Sequence, residues 1–432
     1  MGTAFQRSLA YLYGLQNHGI KPGLSRIITL LNALGNPHHS LPAFHVGGTN
    51  GKGSTAAMLA SILAKQGCRV GLYTSPHLVD FTERIQVNGA TIAPERVWAL
   101  AEVVRHAAET HLAEPLTFFE ATTSMAFLHF AEVGVEYAVV EVGMGGRFDA
   151  TNVLTPLVSV ITTIGLDHQQ YLGHTLEAIA GEKAGIIKHP APAVTGRVEQ
   201  GPLSVIQTTA ANQRVPCFSL GRDFDILEES PERFSYRGIR RAYEGLSCPL
   251  AGRHQLENAA CALAALELAV DGGVRVEDGA IRNGLRDVRW PGRLELAGRK
   301  PDILLDGAHN PQAAEALAVH LTALHTKLIL VVGMMCDKDI GGVLFHLAAV
   351  PGVSHMILTR AAHPRAAALE DLACAGTHLG IPIQIAPTVE EAFAHARALA
   401  GPDDTICVTG SLLVVGEAKA ILDGTTVSPL RG

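Results

Sequence analysis

The sequence predicts an α/β protein of two domains, each a parallel sheet covered by helices. Three observations carry this. From Ala43 onward short apolar runs alternate with segments of helical period, and each run closes on a loop rich in Gly, Thr, Ser or Asp, the pattern of strand–helix–strand units. The alternation breaks at Trp290-Pro291-Gly292, a turn signal, and resumes at Ile303. A length of 432 residues suits two or three domains at roughly 100–200 residues each.

In chain order, residues 43–46 read as a strand, 54–65 as the helix after it, 68–73 as a second strand, 137–141 as a third and 158–164 as a fourth. Residues 217–249 are polar, carry aromatics and lack helical period, so they read as an antiparallel insertion beside the main sheet. The turn at Gly292 then divides a phosphate-loop domain over 1–292 from a smaller Rossmann-like domain over 293–432. The second domain has strands expected at 327–332, 356–359 and 405–408. Open α/β sheets bind ligands beyond the carboxyl ends of their strands, so the strand-end loops are expected to form one site.

Composition excludes several classes. Apolar residues are 47% and charged residues 17% of the chain, far from the signature of disorder. A formal net charge of −7 provides no basic field for nucleic acid or an anionic membrane. The seven cysteines include no CxxC pair, against a disulfide framework or zinc site. Residues 1–16 lack the basic and apolar regions of a signal peptide, and no apolar run reaches the roughly 18 residues of a membrane span. A cytoplasmic enzyme is expected. His38 and His39, between Pro37 and Pro42, are expected to be solvated.

The strongest local signal is Gly47-Gly48-Thr49-Asn50-Gly51-Lys52-Gly53-Ser54-Thr55, which follows a predicted strand and opens a predicted helix. There glycines let backbone N–H groups converge on phosphate oxygens, the helix N-terminus adds partial positive charge, and Lys52 adds a full one. Gly53 separates Lys52 from Ser54, so the loop departs from GxxxxGK[ST]. Glu141 ends an apolar strand, where a carboxylate calls for a cation; the alternative is a cap on a neighbouring loop. His168, beyond the next strand, is either a core histidine or a ligand on that same edge. Ser75 can offer a hydroxyl oxygen there, and magnesium takes a few protein oxygens with water and phosphate.

The loop's departure is itself informative, because GTNGKGS from Gly48 to Ser54 resembles the form found in folylpolyglutamate synthases, relatives of the Mur ligases. The resemblance continues in order through Tyr73-Thr74-Ser75-Pro76-His77, Glu83-Arg84-Ile85, Glu141 to Asn152, Gly165-Leu166-Asp167-His168, Glu182-Lys183-Ala184-Gly185, His254-Gln255 with Asn258, Trp290-Pro291-Gly292-Arg293, Asp306-Gly307-Ala308-His309-Asn310-Pro311 and Thr409-Gly410-Ser411-Leu412.

The resemblance implies residue roles that the residues alone do not. Gly48, Thr49, Asn50, Gly51, Lys52, Gly53 and Ser54 would hold ATP phosphates, with His254 and Asn258 near the base. Arg293, Asp306, His309 and Asn310 would contact ATP from the second domain. Ser75, Glu141 and His168 would hold magnesium, with Ser54 as a further ligand. Lys183, by default a solvated lysine, would be carbamylated and bind a second magnesium, since a buried lysine of depressed pKa is the form that reacts with carbon dioxide. Lys52, Lys183 and His168 would be the catalytic set.

The implied reaction is ATP-dependent amide formation: phosphorylation of an acceptor carboxylate, then attack by the amine of L-glutamate. Arg147-Phe148-Asp149-Ala150-Thr151-Asn152 resembles the form of bacterial enzymes that also join glutamate to dihydropteroate, which assigns Arg84, Arg147, Asp149 and Ala150 to the pterin or folate substrate. Asp149 could accept hydrogen bonds from a pterin edge or cap its own turn. The family leans towards monomers. The competing readings are a Mur ligase acting on a UDP-muramyl peptide, or a phosphate-loop ATPase without an acceptor.

Overall fold

The computed structural model describes residues 11–15, 19 and 21–428. Strands are β1 Ala43–Gly47, β2 Val70–Tyr73, β3 Ile85–Val87, β4 Ala90–Thr91, β5 Tyr137–Glu141, β6 Val158–Ile161, β7 Ala193–Thr195, β8 Cys217–Ser219, β9 Asp225–Ser230, β10 Arg233–Arg237, β11 Ala242–Ser247, β12 Glu295–Gly298, β13 Asp302–Leu305, β14 Leu328–Val332, β15 Val353–Leu358, β16 Ile383–Ile385 and β17 Thr405–Thr409. They form an eight-stranded sheet ordered β4-β3-β2-β5-β1-β6-β7-β8, a three-stranded sheet β11-β10-β9 and a six-stranded sheet β12-β13-β17-β14-β15-β16.

The first sheet is parallel from β2 to β8, with β3 and β4 antiparallel at one edge. Its central strands β1, β2, β5, β6 and β7 are buried on both faces, which is why they read as continuous apolar runs rather than alternating ones. β1 lies between β5 and β6, with Val46 opposite Glu141 on one side and Val160 on the other. This register fixes the function: the loops after β1, β5 and β6 leave the sheet side by side at a topological switch point.

One face is covered by the helix Lys52–Lys65 and by Arg253–Ala269, the latter buried along most of its length. Its Ala259-Ala260-Cys261-Ala262 run has side chains small enough for close approach from several directions at once. The six-stranded sheet is parallel except for β12 and carries its own core on both faces.

The structure shifts several expected boundaries. The first helix begins at Lys52 rather than at 54, so the lysine belongs to its first turn. β6 ends at Ile161, and Thr162 and Thr163 leave the sheet to bond the phosphate loop. Cys217–Ser219 pairs parallel with β7 as an edge of the main sheet, so the antiparallel insertion spans only Asp225 to Ser247; polarity at an edge strand had the same signature as polarity in the insertion. His38 is buried against Phe127, and burial pushes its ring down to about 4, contrary to the expected solvated residue; His39 is exposed.

Two contacts tie the N-terminal loop after β2 to the six-stranded sheet's domain. Leu78 is buried in the core of the C-terminal half, and the Ser428 N–H donates to the Val79 carbonyl at 2.7 Å. Glu83 holds that loop in shape by accepting from the backbone N–H groups of Leu78, Val79 and Asp80.

Candidate active site

The phosphate loop is built by its neighbours as much as by its own glycines. Gly51 caps the helix at φ +86°, a left-handed conformation that a side chain would strain, and a Cβ there would lie 2.3 Å from Asn258 Oδ1. Thr49 Oγ1 accepts from Gly165 N at 3.0 Å, and Asn50 N donates to Thr163 Oγ1 at 2.9 Å. Gly53, the departure from the common motif, has a structural reason: a Cβ there would sit 2.8 Å from the indole of Trp290. The start of the helix and the hinge turn therefore pack directly together.

Two lysines converge on one carbonyl oxygen. Lys52 Nζ donates to Gly48 O at 3.1 Å and Thr49 O at 3.0 Å, and Lys183 Nζ donates to Gly48 O at 2.9 Å. Lys183 is buried and Lys52 half-buried, and desolvation lowers both pKa values. For Lys183, burial comes first and the positive charge of Lys52 adds to it, bringing the group down to about 7.

Glu141, 5% exposed at the end of β5, accepts from Ser75 N at 3.1 Å. Burial raises its pKa, against the opposing charges of Lys52 and Arg293. His168 takes a left-handed backbone conformation as the cap of the short helix Gln169–Leu172; burial pushes its ring down to about 4, so it is neutral and able to ligate. Ser54 is buried at the base of the loop. Among the described residues no cluster of three or more His, Cys, Asp or Glu forms a ready metal cage, as befits a set that includes hydroxyls and a lysine.

The second domain reaches the same place from the opposite side. Asn310 caps the helix Pro311–Thr322 through Ala313 N and exchanges amide hydrogen bonds with Asn50 at 3.0 and 3.3 Å. His309 Nε2 stands 3.3 Å from Asp167 Oδ2, while its Nδ1 bonds Gly307 O. Asp306 accepts from Leu294 N and Ala308 N, so it shapes its own loop. Arg293 lies against Gly307, and the positive charges of Arg293 and Lys52 are felt at Glu141. His254 is half-buried and lowered by desolvation; Asn258 bonds Gln255 beneath Gly51.

Sequence reasoning missed Lys338 and Asp167. Lys338 Nζ, from the loop after β14, meets Asp167 Oδ1 at 2.5 Å, with both side chains nearly buried. A hydrogen bond from the His309 ring and the positive charge of Lys338 hold the Asp167 carboxyl well below the usual range despite its burial. The signal was present: Asp337-Lys338-Asp339 follows the carboxyl end of a strand, as the recognised loops do.

The four residues assigned to the substrate do not share one environment. Arg147 is exposed, with Nη2 donating to Gly181 O at 3.1 Å and Nε 3.6 Å from Glu182 Oε1. Arg84 is sealed inside, with Nε on His77 Nδ1 at 2.8 Å and its guanidinium over the Phe118 ring; the interior gives it no open face for a ligand. Ala150 is likewise packed in the N-terminal core. Asp149 accepts from Met144 N and Thr151 N, so it does cap its own turn.

A phosphate-loop domain and a second α/β domain that completes its site define a class. The family model for the Mur ligase middle domain matches residues 46–266, and that for the Mur ligase, glutamate ligase domain matches 292–412. The dihydrofolate synthase/folylpolyglutamate synthase of Bacillus subtilis is 37% identical over 431 residues, covering 97% of this chain and 99% of that protein. The structure of Escherichia coli FolC in complex with DHPP and ADP superposes with a TM-score of 0.89 at 34% identity, over 98% of this chain and 99% of that one. A structure of a bifunctional folylpolyglutamate synthase/dihydrofolate synthase with Mn, AMPPNP and L-glutamate bound gives a TM-score of 0.86 at 32% identity, over 97% of this chain and 98% of that one. The chain belongs to the dihydrofolate synthase/folylpolyglutamate synthase family.

Proposed function

We propose that this enzyme uses ATP to join L-glutamate first to dihydropteroate and then to the glutamate tail of reduced folates. The observation that carries the reading is the meeting of the phosphate loop with Asn310, and of Asp167 with His309, across the domain boundary, beside a buried carboxylate at Glu141. Such an arrangement supports a nucleotide held between the domains, with its phosphates over Gly48 to Ser54. A cavity of about 610 Å³ at the hinge, lined in part by Leu250, Ala251, Pro291 and Arg293, gives room for a nucleobase. The proposed division is 1–292 and 293–432, with Gly292 at the pivot.

The donors fit a hard divalent cation. Glu141 is buried with a backbone N–H as its hydrogen-bond donor and a raised pKa, a state that a cation relieves. Ser75, Glu141 and His168 would hold it, with Ser54 alongside; when bound it neutralises charge on the transferring phosphates. A second position rests on Lys183 as a carbamate. Two amines sharing the Gly48 carbonyl repel each other as ammonium ions, and carbamylation of the one near pKa 7 turns that repulsion into attraction.

The γ-phosphoryl group passes to the acceptor carboxylate, leaving ADP. The amine of glutamate then adds to the acyl carbon, and the tetrahedral intermediate expels phosphate to leave an amide. Lys52 compensates charge in the first step, and contact between the domains excludes water from the acyl phosphate. The test is ADP release by the purified protein with glutamate and either dihydropteroate or tetrahydrofolate, with a UDP-muramyl peptide as control. Acceptor-dependent release with both pterins is expected. Release with tetrahydrofolate alone reduces the enzyme to a polyglutamate synthase, and release without any acceptor overturns the ligase reading.

A further inference from the structure

We infer that His45 is a positioning residue for the acceptor, acting through Thr151 on Asp149, so that the strand carrying the phosphate loop also sets the acceptor loop. This rests on the proposed dihydropteroate reaction and on the reading, implied by the family resemblance, that the loop over residues 147–152 lies beside the pterin and sets its position by its shape.

His45 lies in the middle of β1 and is fully buried, two residues before the strand gives way to the phosphate loop. Its strand neighbours Phe44 and Val46 are apolar, and an apolar side chain would fill the position without the cost of burying a ring nitrogen. Its Nε2 is 2.8 Å from Thr151 Oγ1, and Thr151 Oγ1 is 2.5 Å from Asp149 Oδ1. Protons can be placed along this chain. Burial raises the Asp149 pKa, but the donors converging on it, Met144 N, Thr151 N and Thr151 Oγ1, favour the carboxylate, which only accepts, so the threonine hydroxyl spends its single proton on Asp149. Nε2 must then carry the hydrogen and donate to Thr151. Burial pushes the His45 ring down to about 3, so it is neutral and has no second proton. Nδ1 is left bare, and no described group bonds it.

Both donors therefore point one way, from β1 towards the carboxylate. Met144 N holds the other oxygen of Asp149 at 2.9 Å, and Lys188 Nζ bonds the carbonyls of Asn152 and Leu154 just beyond the turn. The acceptor loop is thus pinned at three places, and one of them is the strand that delivers the phosphates. A rigid link of this kind is what an in-line transfer from nucleotide to acceptor carboxylate requires, because misplacement by about 1 Å costs on the order of 10²-fold in rate.

The experiment measures KM for dihydropteroate, KM for ATP and the melting temperature in His45→Leu, His45→Gln, Thr151→Val and the double variant His45→Leu/Thr151→Val. His45→Leu is expected to raise KM for dihydropteroate about tenfold, the scale of one hydrogen bond in a charged chain, with KM for ATP within about twofold. His45→Gln, which keeps an N–H at similar reach, should recover most of the loss. The double variant should be no worse than Thr151→Val, because both changes break one chain. Parallel rises in both KM values with a lower melting temperature, or additive effects in the double variant, would show a purely structural residue. If His45→Leu does not fold, Thr151→Ser against Thr151→Val asks the same question, since serine keeps the hydroxyl. Asp149→Asn separates the two layers: an unchanged KM for dihydropteroate removes the acceptor reading and the inference with it, whereas a raised KM beside unaffected His45 variants removes the inference alone.

Discussion

Gly416 stands where the two halves of the enzyme touch, and alanine there should cost activity far more than stability. It lies in the helix Leu412–Asp423, and a Cβ would sit 2.0 Å from the carbonyl oxygen of Leu78. Real Cβ atoms do not approach backbone oxygen so closely, so the loop after β2 and the C-terminal domain must part by roughly 1 Å or more. Three terms compete. Alanine gains about 1 kcal/mol over glycine in a helix, overpacking costs about 1–3 kcal/mol, and partial withdrawal of Leu78 from the C-terminal core forfeits some of the roughly 1.5–3 kcal/mol of its burial. The net loss is about 1–4 kcal/mol, and each kcal/mol is worth about 2–4 °C in a domain of this size.

Catalysis is more exposed. Leu78 is three residues past Ser75, whose N–H bonds Glu141, and a shift of about 1 Å at reacting groups costs on the order of a hundredfold. Acceptor-dependent ADP release should therefore fall about a hundredfold in kcat/KM, with a melting temperature lowered by about 2–16 °C. Gly279→Ala is the control, because it is a helical glycine with nothing within 4 Å of a built Cβ; it should match or slightly exceed wild-type stability at full activity. A Gly416→Ala enzyme within threefold of wild-type kcat/KM would refute the reasoning that this contact sets the metal-side loop.

Three further outcomes are expected. Lys52→Ala should lower turnover by about 10²–10³, the scale of a single electrostatic catalytic group, with a nearly unchanged melting curve; near-normal turnover would remove the phosphate-loop assignment. Because the folded-state pKa of Lys183 is lowered to about 7, its amine becomes neutral as pH rises through that value, so a bicarbonate-dependent carbamate signal should grow between about pH 6 and 8. A solvent lysine would stay protonated there, and a signal equal in wild type and Lys183→Ala would place the carbamate elsewhere. Lys338→Ala strands Asp167 in a nearly buried site and should destabilise the enzyme by on the order of 3 kcal/mol, less whatever His309 and Asn310 supply; adding Asp167→Asn should restore part of the loss, and an unaltered melting temperature in the single variant would mean the pair is solvated in solution.

The legible part of the site came from residues whose chemistry is tied to local sequence. A glycine-rich run after an apolar strand needs no partner to announce a phosphate loop, and Glu141 at a strand end is conspicuous by its misfit with the apolar residues before it. Lys183, His254 and Arg293 carried no such mark, and only resemblance to a family raised them. Asp149 shows the limit: its sequence context was compatible with a ligand contact and with a turn cap, and the backbone N–H groups of Met144 and Thr151 that fill its oxygens are placed by folding.

The sequence by itself determined the α/β class, the central strands of the two parallel sheets, and the loop that opens the helix after β1, because period and turn chemistry act over a few residues. Only the tertiary structure decided that β1 lies between β5 and β6, that Trp290 takes the space left by Gly53, that Lys338 crosses to Asp167, and that Arg84 and Ala150 are enclosed rather than presented. Each of those pairs is far apart in sequence, and its contact is the outcome of sheet register and core packing summed over the whole chain, which no local window contains.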